Sequence, residues 1–158
     1  MKPPSVPRID IREVTPADAD AVARLSAELG YPIDAMNMRA RLEQRADRAD
    51  HGVYVASRQQ TALGWIHVSA VHHLQSEPRA EIGGLIVTAD ARSGGIGRML
   101  VAREELWATE HGVASVLVRS QIMREAAHRF YQREGYARTK TSAVFSKTLE
   151  NTQGIRRV

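Results

Sequence analysis

Arg92-Ser93-Gly94-Gly95-Ile96-Gly97-Arg98 joins two runs of different period, and its reading decides the fold. Upstream, Ala80-Glu81-Ile82-Gly83-Gly84-Leu85-Ile86-Val87 reads as a strand. Downstream, Arg98 to Glu110 reads as an amphipathic helix, with Ile96, Met99, Leu100, Leu106 and Trp107 assigned to one face and Gly112 placed to end it. Three glycines between a strand and a helix let backbone N–H groups approach a ligand closely, and the helix N-terminus adds the positive end of its dipole. Together they form a cradle for phosphate. Taken alone, such a stretch is equally a glycine-rich connection that only turns the chain. It lacks the lysine and Ser/Thr of a P-loop and the glycine spacing of a dinucleotide fold, so neither nucleotide motif fits.

Working outward, Ile9 to Val14 alternates like a strand, and Thr15-Pro16 supplies an N-cap and a first-turn proline for a helix running to Leu29, before Gly30. Val22, Leu25, Ser26 and Leu29 form its core-facing stripe. A second helix is expected from Ile33 to Asp47, with Met36, Met38 and Leu42 among many arginines, as a half-exposed cover. Val53 to Ala56 and Ala62 to Val68 read as strands of a hairpin around the polar Ser57–Thr61 turn. Beyond the glycine loop, Ala114 to Val118 is a short apolar run suited to a buried parallel strand. Arg124 to Glu134 is a helix with Ala127, Phe130 and Tyr131 on one face, closed by Gly135, and Thr141 to Leu149 reads as a last strand. The order β-α-α-β-β-β-α-β-α-β implies an α/β fold with a mixed sheet and helices on its faces.

The chain has 158 residues, the size of one domain, expected over 9–149 with a loose proline-rich leader at 1–8 and a polar tail at 150–158. Its apolar content of 43% allows a sizeable core, and the absence of cysteine excludes disulfides, zinc fingers and cysteine hydrolases. No signal-peptide run and no long apolar stretch are present, so a cytoplasmic protein without membrane association is expected. The net charge of +4 falls at one end: residues 138–158 hold Arg138, Lys140, Lys147, Arg156 and Arg157 against Glu150, and the remainder balances. Basic residues are otherwise dispersed among acids, without the clustering and interleaved aromatics of a nucleic-acid surface.

The glycine stretch resembles the acetyl-CoA loop of the GNAT superfamily of N-acetyltransferases, Arg/Gln-x-x-Gly-x-Gly/Ala, through Arg92, Gly95 and Gly97. Two further segments are similar to that family: the strand Ala80–Val87 to its fourth strand, and Ala127 to Tyr136 to its A-x-x-F-Y-x-x-x-G-F/Y segment. The resemblance covers about residues 9–149 and implies a mostly antiparallel central sheet whose fourth and fifth strands are parallel and splay apart, with acetyl-CoA as cosubstrate; without cysteine and spaced carboxylate partners, no metal is expected. It implies that Leu85, Ile86 and Val87 pair with the pantetheine arm and that the N–H groups of Arg92, Ser93, Gly94, Gly95, Ile96, Gly97 and Arg98 hold the pyrophosphate. The adjacent Gly83 and Gly84 suit a bulge or close approach, or make room for a neighbouring side chain.

Acetyl transfer to an amine needs a base for the amine and a proton for the departing thiolate. Glu81 matches the position of a glutamate base in the histone-modifying branch of the family; a surface glutamate paired to Arg79 is the alternative. Tyr131 corresponds to the family's general acid, because a phenol is protonated at neutral pH, and to a residue beside the CoA sulfur; a core tyrosine on the Phe130 face is the alternative. Where relatives carry Asn after the fifth strand, Gln121 stands here as the candidate cofactor contact. His72-His73 precedes the fourth strand and His67 lies within a strand, as solvated or hydrogen-bonded histidines or as part of an acceptor site.

The expected activity is transfer of acetyl from acetyl-CoA to a primary amine by direct attack, the acceptor being a small molecule, a protein or a peptide. A non-catalytic acyl-CoA-binding or sensor domain is the alternative. Leu29-Gly30-Tyr31-Pro32 and the segment from Lys140 to Lys147 resemble small bacterial members, some of which act on aminoglycosides or other small amines. Dimerisation is common in the family, so a homodimer is possible.

Overall fold

The computed structural model describes residues 1–150. Its elements are β1 (Ile9–Glu13), a 3-10 turn (Pro16–Asp18), α1 (Ala19–Glu28), α2 (Ala35–Ala46), β2 (His51–Arg58), β3 (Thr61–Val71), β4 (Arg79–Val87), α3 (Ile96–Glu110), β5 (Val116–Val118) and α4 (Glu125–Arg133). The chain falls into two units, Met1–Arg119 and a smaller one from Ser120 onward.

In the first unit the sheet order is β1-β2-β3-β4-β5, antiparallel throughout except for the parallel β4–β5 pair. The β2–β3 hairpin turns on Gln59 and Gln60, both left-handed at φ +49° and +66°, a two-residue turn whose twist matches the strands it joins. The chain enters α1 through a capped turn: the Thr15 amide donates to the Asp18 carboxylate at 2.8 Å, and Arg12 forks onto the same carboxylate at 2.7 and 2.8 Å. The Arg12 guanidinium holds the Asp18 carboxyl below the usual range, and Pro16 sits in the turn instead of in the α-helix itself.

Helices cover both faces. On one face Leu25 of α1 packs with Val55, Ala62 and Ile86 of the sheet, while Met38 and Leu42 of α2 join Ala19, Val22 and Ala23 in a second cluster; Trp65 borders both. Met36 is 78% exposed, so α2 is the half-exposed cover its composition indicates. On the other face lies α3. A Cβ on Gly64 would meet Leu100, a Cβ on Gly52 would meet the Trp107 ring, and the Arg103 guanidinium lies 4.3 Å above the Tyr54 ring.

Two sequence expectations need correction. The buried stripe of α3 is Ile96, Leu100, Val101, Glu104, Trp107 and Ala108, whereas Met99 and Leu106 are exposed. At 100° per residue, Glu104 falls at the centre of this stripe and Met99 and Leu106 on the opposite side; excluding the carboxylate from the core rotates the inferred face. The segment 141–149 forms no strand, and Val144 and Phe145 are 86% and 93% exposed. Ala143-Val144-Phe145 breaks the alternation of period two, so neither face of a strand here would bury enough apolar surface to offset its ordering cost. The observed order therefore ends at α4, and most of the tail expected at 150–158 lies outside the described residues.

In the second unit α4 places Ala127, Phe130 and Tyr131 partly out of solvent. It ends at Gly135 (φ +92°), after which the Tyr136 amide returns to the Tyr131 carbonyl at 2.9 Å.

Candidate active site

The glycine loop owes its shape to left-handed backbone. Ser93 (φ +68°) and Gly95 (φ +79°) flank Gly94, and Gly95 is the N-cap of α3. Backbone that alternates hand over successive residues turns consecutive N–H groups toward one side, making an anion-binding concavity. α3 starts with no side-chain cap and no acidic residue in its first turn, so the first amides of the helix face no competing carboxylate. Ser93, Gly94 and Gly95 are exposed and within reach of a ligand. The loop thus fits a pyrophosphate. Arg92 has a different use for its side chain: its Nε donates to the Val87 carbonyl at 3.1 Å and ties the loop to the end of β4.

The β4 edge is the second component. β5 pairs only with Ala80, Glu81 and Ile82; from Gly83 to Val87 the edge of β4 away from β3 has no ladder partner among the described residues. Leu85, Ile86 and Val87 lie along this edge, where alternate residues turn their backbone groups outward and the Val87 carbonyl is taken by Arg92. At the point of parting the β3–β4 register slips between His67 and Val68, leaving Gly83 as an exposed bulge residue. Gly84 makes room: a Cβ there would lie 2.8 Å from the Trp65 ring. Both sequence explanations for the glycine pair hold, one at each residue.

Glu81 sits just before the bulge. Arg119 Nε donates to its Oε1 at 3.0 Å and Arg79 Nη2 lies 3.9 Å from its Oε2, so the carboxylate is held between two guanidinium groups. The Arg79 pairing is the alternative the sequence offers; nothing local in the sequence marks Arg119, just past the end of β5, as the second partner.

A group that sequence reading did not assemble lies on the α1 face of the sheet. His51 Nδ1 and His67 Nε2 are 2.9 Å apart and the rings stack with centroids 5.1 Å apart. His51 Nε2 is 3.8 Å from the Asp50 carboxylate. The signal was the hairpin register, which sets His51 diagonal to His67 across β2 and β3. His72 and His73 are exposed on the β3–β4 connection.

Tyr131 and Gln121 belong to the second unit. The Tyr131 ring makes edge-on contacts with Phe130 (5.1 Å) and Tyr136 (5.7 Å). Gln121 is exposed and accepts from the His128 ring through its backbone carbonyl at 3.0 Å. Among the described residues no group of three or more His, Cys, Asp or Glu could hold a metal, and no helix is long and apolar enough to cross a membrane.

A parted β4 edge running into a left-handed glycine loop is the arrangement the motifs implied, and residues 19–136 match the acetyltransferase (GNAT) family. The chain belongs to the GNAT family. Its members are acetyl-CoA-dependent acyltransferases, and this GNAT chain is an enzyme of that class. It is 28% identical to aminoglycoside N(6′)-acetyltransferase type 1 of Stenotrophomonas maltophilia, over 89% of this chain and 94% of that one. It is 32% identical to aminoalkylphosphonate N-acetyltransferase of Salmonella typhimurium, over 83% of this chain and 86% of that one. An aminoglycoside N-acetyltransferase solved in complex with CoA shares the fold at a TM-score of 0.82 and 19% identity, covering 92% of this chain and 99% of that one.

Proposed function

We propose that this GNAT enzyme transfers the acetyl group of acetyl-CoA to the primary amine of a small molecule by direct attack. The observation that carries the reading is the unpaired β4 edge leading into the uncapped N-terminus of α3. Leu85, Ile86 and Val87 pair with the pantetheine arm, and the backbone N–H groups from Arg92 to Arg98 take the pyrophosphate. Gln121 contacts the cosubstrate arm. The amine nitrogen attacks the thioester carbonyl, the C–N bond forms, the C–S bond breaks with its electron pair on sulfur, the Tyr131 hydroxyl supplies the proton that makes CoA a thiol, and the nitrogen's surplus proton passes to solvent as the tyrosinate is reprotonated. Glu81, between Arg79 and Arg119, acts as a base only if those contacts loosen when substrate binds.

One observation narrows the acceptor. Around β4 the two arginines outnumber Glu81, which disfavours a polycation and suits an amine that also carries an anionic group, as an aminoalkylphosphonate does. A soluble, cytoplasmic enzyme that works without a membrane or nucleic-acid partner fits this chemistry.

Two measurements test the proposal. Excess acetyl-CoA should raise the melting temperature, and thiol release should then appear only when an amine from a panel of aminomethylphosphonate, kanamycin and a lysine peptide is added. No stabilisation by acetyl-CoA or CoA refutes cosubstrate binding. Stabilisation with no amine-dependent release across the panel replaces the enzyme with an acyl-CoA-binding domain.

A further inference from the structure

We infer that His67 and His51 form a proton relay that takes the acceptor amine's proton at the β4 bulge and delivers it beside Asp50 at the surface. The inference rests on the transferase reading and assigns the proton step to residues outside the motifs that identify the family.

The geometry is that of a wire with two distinct ends. At the inner end, a Cβ on Gly83 would lie 3.1 Å from His67 Nδ1, so this nitrogen stands directly over the exposed bulge where β4 and β5 part. Nδ1 has no hydrogen-bond partner among the described residues, whereas Nε2 is bonded to His51 at 2.9 Å. At the outer end, His51 faces the Asp50 carboxylate at 3.8 Å and lines a cavity of about 440 Å³ with Arg45, Asp47 and Arg48. The carboxylate favours the His51 tautomer with its proton on Nε2. His51 Nδ1 is then an acceptor, His67 must donate from Nε2, and His67 Nδ1 is left as a bare lone pair over the bulge.

The transfer balances. Before the attack, one N–H proton of the acceptor ammonium passes to His67 Nδ1, and the neutral amine then forms its bond to the thioester carbon. The Nε2 proton of His67 moves to His51 Nδ1, and the Nε2 proton of His51 leaves for water at the surface, the Asp50 carboxylate being held by Arg48. One proton enters, one departs, and neither ring keeps an extra charge. The electrostatics suit transit over storage: burial, His51 and Arg45 press the His67 imidazole down to about 4, so it is neutral at pH 7 and returns a proton readily. His51 is lowered by burial, Arg48 and Arg45 and raised by Asp50, while the facing β4 residues Gly83 and Gly84 carry no charge. Glu81 is a poorer acceptor because two arginines already occupy its carboxylate.

The test is the pH profile of kcat/KM for the full chain with aminomethylphosphonate and with kanamycin, for wild type, His67→Gln and His51→Gln. Glutamine keeps a hydrogen-bonding group but cannot shuttle a proton. At pH 7, His67→Gln should lose kcat by about 100-fold, with the KM for acetyl-CoA unchanged, and recover toward wild type by about pH 9.5, where amines arrive increasingly deprotonated. His51→Gln should show the same pH pattern with a smaller loss, and it carries the test alone if His67→Gln does not fold. A loss below about threefold, or one equal at both ends of that pH range, overturns the relay and leaves the transferase standing. No amine-dependent turnover by the wild type overturns both.

Discussion

Replacing Glu104 by glutamine should stabilise the protein, and only above about pH 5. Glu104 is fully buried on α3, in line with Leu100 and Trp107, and neither carboxylate oxygen has a hydrogen-bond partner. Burial, with Glu105 adding to it, lifts the carboxyl from 4.5 to about 7. The sign follows from proton counting. Between these two values the folded chain holds a proton that the unfolded chain has released, so stability falls as pH rises. At about 1.4 kcal/mol per unit, the loss is complete a little above pH 7 and amounts to about 3 kcal/mol. Below pH 4.5 both states are protonated and the carboxyl costs only its unmet hydrogen bonds.

The amide of Glu104→Gln has nearly the same shape and no charge at any pH. Urea unfolding at pH 4.5, 6, 7 and 8 should show variant and wild type within about 1 kcal/mol at the lowest pH, diverging to about 3 kcal/mol in favour of the variant at pH 8. In a domain of this size that gap corresponds to roughly 6–12 °C in melting temperature. A difference independent of pH would refute the reasoning, because an uncharged polar defect does not titrate. A variant less stable than wild type at pH 8 would show that the ionised carboxylate has a favourable partner.

Three further outcomes are expected. Gly95→Ala places a Cβ at φ +79°, which costs about 1–2 kcal/mol, and should raise the acetyl-CoA KM while leaving the amine KM unchanged; steady-state kinetics and thermal melts check both. Gly84→Ala puts a methyl group 2.8 Å from the Trp65 ring and should destabilise by about 1–3 kcal/mol in urea unfolding. Tyr131→Phe should lower kcat by about 100-fold with CoA affinity unchanged by calorimetry; unchanged kcat would remove Tyr131 from the acid role.

Much of this architecture was legible in the sequence because it depends on backbone, and backbone signals are local. Left-handed φ at Gly95, a bulge at Gly83 and close approach at Gly84 all favour glycine, so these residues stand out in the chain. Strands β1 to β4 and helices α1 to α3 likewise follow from periodicity within a few residues of their ends. What failed depended on neighbours. Glu104 could not be read as a core residue because a carboxylate is admitted to a core only if its charge can be suppressed, which is a property of its surroundings. The segment 141–149 has strand-like residues, but a strand also needs a ladder partner and a buried face.

The same distinction separates the two halves of the site. The proposed cosubstrate half rests on backbone amides and is written in glycines. The proposed proton-handling half rests on side chains brought together by register. His51 and His67 are 16 residues apart, and a single-residue slip in the β2–β3 hairpin would send one of them to the opposite face. Two features hold that register: the Gln59-Gln60 turn and the irregularity between Ala56 and Ser57, which shifts the pairing by one residue before the histidines are reached. Without that shift, pairing counted strictly from the turn would set His51 opposite Val68 instead of Ser69. His51 and His67 would then point to opposite faces of the sheet, and the Nδ1–Nε2 contact would be lost. The hairpin irregularity is therefore as much a part of the proposed relay as the two imidazoles themselves.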